Sequence, residues 1–514
     1  MPDTPREALR VAVFAGRFFG GSTTAAPALR DTAALAASSD AAANLLNWFG
    51  LPWLKGLLET AAVADVASML RAALDRDIAA LDAMMSTQLD AVLHHPRMRQ
   101  LEGSWRGLQW LVGRLPATGS RVRLKMFPAQ WREVCRDMER ALEFDQSRLF
   151  HKIHEEQFGM AGGEPFGLIA CDFEVRHRPA PDHPTDDIGA LTALSSIAAA
   201  SFSPMVFGAA PELLGVDSFA EISPSFDPAS VLRDASHARW RQSAAHEDLR
   251  FIGVALPRVL GRPPWVDDGS RVDRFRYRHH AAGAAQRVWT SPVYAFAASA
   301  VRAFETYSWP AEVRGAEISP DARGGVIDHL PFDHFPSDIA GEAPSRAPLE
   351  VALTDAQESQ IGDAGLIPLS ALEGLAEASF GVLPSLHRPP RMSTAIAREN
   401  QRVSAQLNTL MCVSRFAHCV KLMCRDMTGS FADPGDVQQR LQRWVNLYIS
   451  GGGLANAEVT ARYPLQDARV EVQERRGRPG VYNCVVHLKP HHQLDEIGAS
   501  FRLVTEFAPR HAAP

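Results

Sequence analysis

Basic charge, paired cysteines and complete catalytic signatures are what this sequence has least of. Its 514 residues carry 53 Lys and Arg against 59 Asp and Glu, a formal net charge of −6. A nucleic-acid backbone is held by a clustered Lys/Arg excess, so binding by bulk charge is excluded. The six cysteines, Cys135, Cys171, Cys412, Cys419, Cys424 and Cys484, form no C-x-x-C pair. They read as unpaired core thiols of a reducing cytoplasm, not as a disulfide framework. The opening residues 1–7 lack a basic start followed by an apolar run, so no secretory signal is expected. The longest uncharged stretch, 188–211, is diluted by Thr192, Ser195, Ser196, Ser201, Ser203 and Pro204. A membrane span needs about 20 strongly apolar residues, so this stretch is expected to be a buried helix followed by a loop.

The catalytic signatures fail individually. Gly16-Arg17-Phe18-Phe19-Gly20-Gly21-Ser22-Thr23 follows a strand-like run and nearly matches a phosphate-binding loop, but Ser22 stands where the pattern needs Lys. The ammonium that would reach the terminal phosphates is missing, and a glycine turn explains the residues as well. His94-His95, and His491-His492 with Asp495 and Glu496, suggest metal by composition only; neither has H-E-x-x-H or another closed-site spacing. Asp172, Glu174, Asp186 and Asp187 form an acidic group near strand ends, and carboxylate pairs can do acid–base work. No G-x-S-x-G elbow is present. The tryptophans, among them Trp105, Trp110, Trp240, Trp265, Trp289 and Trp309, read as core residues. No cofactor or catalytic residue is assigned from these motifs.

What is present is the raw material of a large folded body. Hydrophobic residues make up 46% and charged residues 22%, enough to bury a core. The length suggests about three domains, or two with large insertions. Residues 9–14, Leu-Arg-Val-Ala-Val-Phe, read as a strand, followed by an Ala/Ser-rich stretch to about 43. From 59 to 95, Leu70, Leu74, Ile78, Leu81, Met85, Leu89 and Val92 step by 3 or 4 and mark one long helix, ending near Pro96. Its seam suits either a partner helix or the chain's own body. A second helix carries Leu101, Trp105, Leu108 and Val112 on one face, with Glu102 and Arg106 paired at i,i+4.

Residues 167–173 and 251–256 read as buried strands, and 349–354 as a further strand. Residues 310–350, dense in Gly, Pro and Asp, mark a loop region or domain edge. Another long helix spans 398–428, with Val403, Leu407, Leu410, Val413, Ala417, Val420, Cys424 and Met427 as its stripe and Gly429 at its C-cap. Gly451-Gly452-Gly453 is a hinge or loop. The end of the chain reads as a small sheet of 468–472, 482–488 and 500–507, with a turn around 477–480. The fold class is therefore α/β, mixed α+β, with long N-terminal and C-terminal helices and a small C-terminal β-sheet.

Longer strings give a more specific reading. Leu93-His94-His95-Pro96 leading to Leu101-Glu102-Gly103-Ser104-Trp105-Arg106-Gly107-Leu108 resembles the signature of the type VI secretion contractile sheath large subunit, the TssC/VipB family. So do Glu155-Glu156-Gln157-Phe158-Gly159 with residues 162–168, and 250–260, Arg-Phe-Ile-Gly-Val-Ala-Leu-Pro-Arg-Val-Leu. Residues 413–418 and 425–431, then 461–472 and 493–496, complete a set that keeps the family's order over about 70–510.

The resemblance implies a contractile tail-sheath-like fold and a structural, non-enzymatic, cytoplasmic role. It implies a small sheath subunit (TssB/VipA-like) as partner, with neighbouring copies of the chain stacked in a helical tubule around an Hcp inner tube. Contraction would drive effector delivery, a ClpV-type ATPase would disassemble the sheath, and baseplate components would anchor it. Neither nucleic acid nor membrane insertion enters this reading. Residues 1–69 depart from the family and are taken as a divergent strand and interaction segment, 70–430 as the body and 431–514 as the C-terminal domain. The expected interlocking residues are Val11, Val13 and Phe14 on a donated strand, and Val470, Val472, Val485 and Leu503 in a receiving sheet. Two alternatives stay open: a cytoplasmic enzyme with an unrecognised active site, and a sheath-like cap that does not polymerise.

Overall fold

The computed structural model describes residues 9–15, 40–60, 62–160, 162–267, 269–270, 275–277, 279–317, 323–333, 346–389, 401, 404–427, 434–450, 457–474, 482–491 and 501–507. The glycine loop at 16–23, Val403, Gly429, Gly451–Gly453, the turn at 477–480 and His492 lie outside them. The chain divides into two units, one of residues 1–89 and 267–278, the other of 90–266 and 279–514.

The first unit is helical. Helix α1 is Leu9–Phe14, α2 is Ala41–Phe49, α3 is Leu51–Thr60, and α4, Val63–Leu93, supplies its residues up to 89. The Asp40 side chain caps α2 by accepting from the backbone of Ala42 and Ala43, which satisfies donors that the helix itself leaves orphaned. The expectation of a strand at 9–14 is corrected here. The segment is a helix because Arg10, Val13 and Phe14, spaced three and four apart, all find partners on one helical face. Arg10 pairs bidentately with Asp77 of α4 at 2.7 and 2.8 Å. Val13 is buried, and the Phe14 ring meets Trp48 edge-on at 6.2 Å. Tertiary partners overrode the β-branched composition.

The second unit opens with α5, Pro96–Val112, whose proline sits in the first turn, where its missing N–H costs nothing. Helix α6 is Trp131–Arg140. The central sheet is parallel in the order β1–β2–β3–β6, with β1 Ile169–Val175, β2 Met205–Ala209, β3 Ile252–Leu256 and β6 Ile367–Pro368. Helix α7, Asp187–Ser201, connects β1 to β2. The uncharged stretch thus splits into a buried helix and a fully buried strand, not a helix and a loop, because five apolar residues at 205–209 fill the sheet interior. No described helix is long and apolar enough to cross a membrane.

Strand alternation builds two cores from one sheet. Met205, Phe207 and Ala209, with Ile252, Val254 and Leu256, join the cluster around α6 and α7. Val206 and Ala255 point the other way, into the cluster around Val293, Phe296 and Phe380. Val293 and Phe296 lie on α8, Pro292–Tyr307. A two-residue ladder joins β4, Val259–Leu260, to β5, Trp289–Thr290. The expected strand at 349–354 is absent: Leu349 makes one bridge to Val259, and Thr354 instead caps α9, Asp355–Asp363, through its hydroxyl.

The C-terminal part has its own core. Helices α10, Leu407–Met427, and α11, Pro434–Asn446, pack on an antiparallel sheet β7–β8–β9 of Leu465–Glu474, Tyr482–Pro490 and Phe501–Phe507. Phe416, Val420, Cys424, Leu441, Val470, Val472, Cys484 and Val486 fill it, and Trp309 stacks on Phe416 at 4.2 Å.

Candidate functional site

Helix α5 presents its faces the opposite way from what its sequence suggests. The packed face is Gly103, Gly107 and Leu111. A Cβ on Gly103 would sit 2.1 Å from the Trp289 carbonyl oxygen, and one on Gly107 would sit 2.3 Å from the Tyr294 ring. These glycines let α5 lie directly on β5 and α8. The apolar face consequently points outward: Leu101 is 56%, Trp105 55% and Val112 50% exposed. Trp105 and Trp265 are therefore surface residues and not core, whereas Trp240 and Trp309 are buried as expected. On α4, Ile78, Met85 and Val92, seven residues apart, are exposed as well.

The C-terminal sheet has two edges of different character. On β7, the Gln442 side chain accepts from the Val470 N–H at 2.8 Å and donates to the Ala468 carbonyl at 3.0 Å, while Gln438 accepts from the Val472 N–H at 3.0 Å. Two glutamines of α11 thus occupy the main-chain groups that a further strand would need. The other edge strand is β9, where Leu503 pairs with Val486 of β8. Val470 and Val472 point into the core between sheet and helices, and Val485 is half-buried. Val11 is exposed, Val13 buried and Phe14 set against Trp48, all within the first unit.

The acidic group near the strand ends is dispersed among separate structural partners. Asp187 accepts from Trp131 Nε1 at 2.7 Å, the Arg176 N–H at 2.8 Å and Thr185 Oγ1 at 2.7 Å, with His183 Nε2 2.8 Å away. Asp186 caps α7 at the Gly189 N–H and pairs with Arg239. Glu174 binds Arg258 bidentately at 2.5 and 2.7 Å. Asp172 accepts from the Tyr294 hydroxyl at 2.9 Å, and burial raises its pKa against the lowering by Ser104 and Tyr294. Each carboxylate accepts from neighbouring donors: arginines or backbone N–H groups at Glu174, Asp186 and Asp187, and the Tyr294 hydroxyl at Asp172. The cysteines are all unbridged, and burial pushes the Cys135 and Cys412 thiols up to about 12, far from thiolate reactivity.

One histidine cluster was legible only in half. His94 follows α4 and faces His279, with their Nε2 atoms 2.9 Å apart and rings stacked at 5.0 Å. Asp90, one turn before His94, brings a carboxylate oxygen within 4.8 Å of a nitrogen of each ring. His280 Nδ1 lies 3.3 Å from Asp90. Arg262, bound to Glu102 at 2.5 and 3.1 Å, reaches within 3.4 Å of His279 Nδ1. Burial, then Arg262 and His94, lower the pKa of His279. The second histidine group is apart from this: His491 Nε2 lies 3.0 Å from Ser450 Oγ.

Comparison with known proteins agrees with the strings in the sequence. The family model VipB, described as EvpB/VC_A0108, tail sheath N-terminal domain, matches residues 75–387. Its companion, the tail sheath gpW/gp25-like domain, matches 396–507. The chain is 32% identical over 434 residues to the type VI secretion system sheath protein TssC1 of Pseudomonas aeruginosa PAO1, covering 84% of each chain. Among solved structures, the sheath tail protein of Desulfitobacterium hafniense matches 62% of this chain and 60% of its own at 11% identity, with a TM-score of 0.28.

Proposed function

Because the chain belongs to the VipB/TssC family of type VI secretion sheath large subunits, we propose that its outward apolar helix face is where the small sheath subunit docks. The carrying observation is the inversion of α5. Its glycine face is spent on the chain's own body, and Leu101, Trp105 and Val112 are left for another. Burying three such side chains contributes on the order of 1.5–3 kcal/mol each. That is enough for an aromatic anchor to dominate an interface.

In this reading heterodimers stack into a tubule around an Hcp tube, contract to drive effector delivery, and are recycled by a ClpV-type ATPase in the cytoplasm, with baseplate components at one end. The chain catalyses no reaction; its carboxylates and thiols are committed to structure. Residues 1–69 serve as an interaction segment, 70–430 as the body and 431–514 as the C-terminal domain. Copies interlock at the β7–β8–β9 sheet, where β9 is the edge not occupied by α11.

Co-expression with the small subunit tests the docking face. Trp105→Glu and Leu101→Glu are expected to abolish co-purification while leaving the circular dichroism spectrum unchanged, because both side chains are exposed. A variant heterodimer that forms normally would move the docking face elsewhere.

A further inference from the structure

We propose that Asp90, His94 and His279 form a binding site for one divalent transition-metal ion of the zinc class. One nitrogen of each imidazole and one carboxylate oxygen converge within 4.8 Å, and the two Nε2 atoms are 2.9 Å apart. Two nitrogen donors and one carboxylate suit zinc and its neighbours, whereas magnesium and calcium call for oxygen. The elements supply the donors by ordinary geometry. Asp90 lies in the last turn of α4 and His94 directly follows it, its N–H still bonded to the Asp90 carbonyl at 2.8 Å, so the two side chains fall on one side. His279 comes from a segment far along the chain and stacks on His94.

The separation of the two nitrogens is close to what the ion needs. Tetrahedral zinc holds nitrogen at about 2.0–2.1 Å, which places two ligating nitrogens roughly 3.3 Å apart. The observed Nε2 separation is 2.9 Å, so the rings part by a few tenths of an ångström to admit the ion. For Nε2 to ligate the ion, the neutral His279 ring must carry its proton on Nδ1. Arg262 then gives up its 3.4 Å contact with Nδ1 and keeps its bidentate bond to Glu102. The guanidinium charge is thereby balanced, and it does not oppose the cation unscreened. Three protein ligands leave a fourth position for water. A bound ion would fasten residue 279 to the joint between α4 and α5, because His94 lies between Leu93 and Pro96.

The competing arrangement is an N–H···N hydrogen bond between the two rings with no ion. The full chain, co-purified with its small subunit and stripped with chelator, separates the two. Addition of Co(II) is expected to give the visible absorption of a four- or five-coordinate ion at one per chain, displaced by Zn(II). Zn(II) is expected to raise the melting temperature and Mg(II) to leave it unchanged. His94→Ala and His279→Ala are expected to weaken Zn(II) binding by more than about 100-fold, beyond the 10–100-fold cost of losing a supporting residue. Asp90→Asn preserves size and weakens binding as well, should a histidine variant fail to fold. His95→Ala, whose exposed side chain turns to the Arg97 N–H, is expected to bind normally. Absence of stoichiometric Co(II) uptake by the wild type, or variants that bind as well as it does, overturns the site in favour of the hydrogen bond.

Discussion

Two buried histidines tie the stability of this fold to pH. His418 is fully buried on α10, with Nε2 3.0 Å from the Ser201 carbonyl. His177 stacks on His237 at 3.9 Å. Burial lowers both to about 4; the Ser201 carbonyl opposes this at His418, and His237 and Arg178 add to it at His177. An unfolded histidine takes up its proton near pH 6.5. Between about pH 6.5 and 4 the unfolded chain therefore binds more protons than the folded one, and stability falls as pH falls. The expected slope is about 1.4 kcal/mol per pH unit for each group, levelling off below about 4. Urea unfolding midpoints at pH 7 and pH 5 measure it. His418→Gln is expected to lose less between the two than the wild type, and an equal loss would mean that His418 is not a source of the slope.

Among the elements, the guarded edge of β7 is the most specific device. Gln442 serves the Val470 N–H and the Ala468 carbonyl together, so Gln442→Ala orphans two main-chain groups at once. The expected cost is about 1–3 kcal/mol for a buried group left unpaired. Thermal unfolding of the variant checks it, and an unchanged midpoint would mean that water replaces the glutamine. The amino-acid sequence alone does not show this pairing. Period-2 alternation located β7 and β8, and stepping by three and four located α4 and α10, because both patterns are local. That glutamines of α11 would reach a strand edge depends on tertiary placement. The same limit reversed α5. Its spacing marks an apolar face, but burial falls to Gly103 and Gly107, since β5 and α8 approach too closely for any side chain. At 9–14, composition favoured a strand, and the bond from Arg10 to Asp77, 67 residues away, decided for a helix. His94 stands beside His95 in the sequence, yet its partner is His279.

For the whole molecule, the demand is to keep subunits joined while a lattice contracts. Rigid bodies that move far must be linked by segments whose main-chain bonds hold while their flanks absorb the motion. At the start of the described chain stands helix α1, tied to α4 by Arg10 and Asp77 and not a free strand, and at its end the sheet edge β9. Deleting residues 1–16 is expected to leave the heterodimer intact, because the outward face of α5 is untouched, but to prevent long tubules in electron micrographs. The deletion also removes Arg10 and leaves Asp77, a nearly fully buried carboxylate, with the Trp48 N–H. Arg10→Gln separates these effects, since it weakens the Asp77 pairing while keeping the segment. Tubules lost in the deletion and kept in Arg10→Gln assign the link to the segment itself. Tubules lost in both assign the defect to the Asp77 pairing within the first unit. Normal, contracting tubules from the deletion place the join elsewhere, and the edge of β9 would then receive its strand from the small subunit.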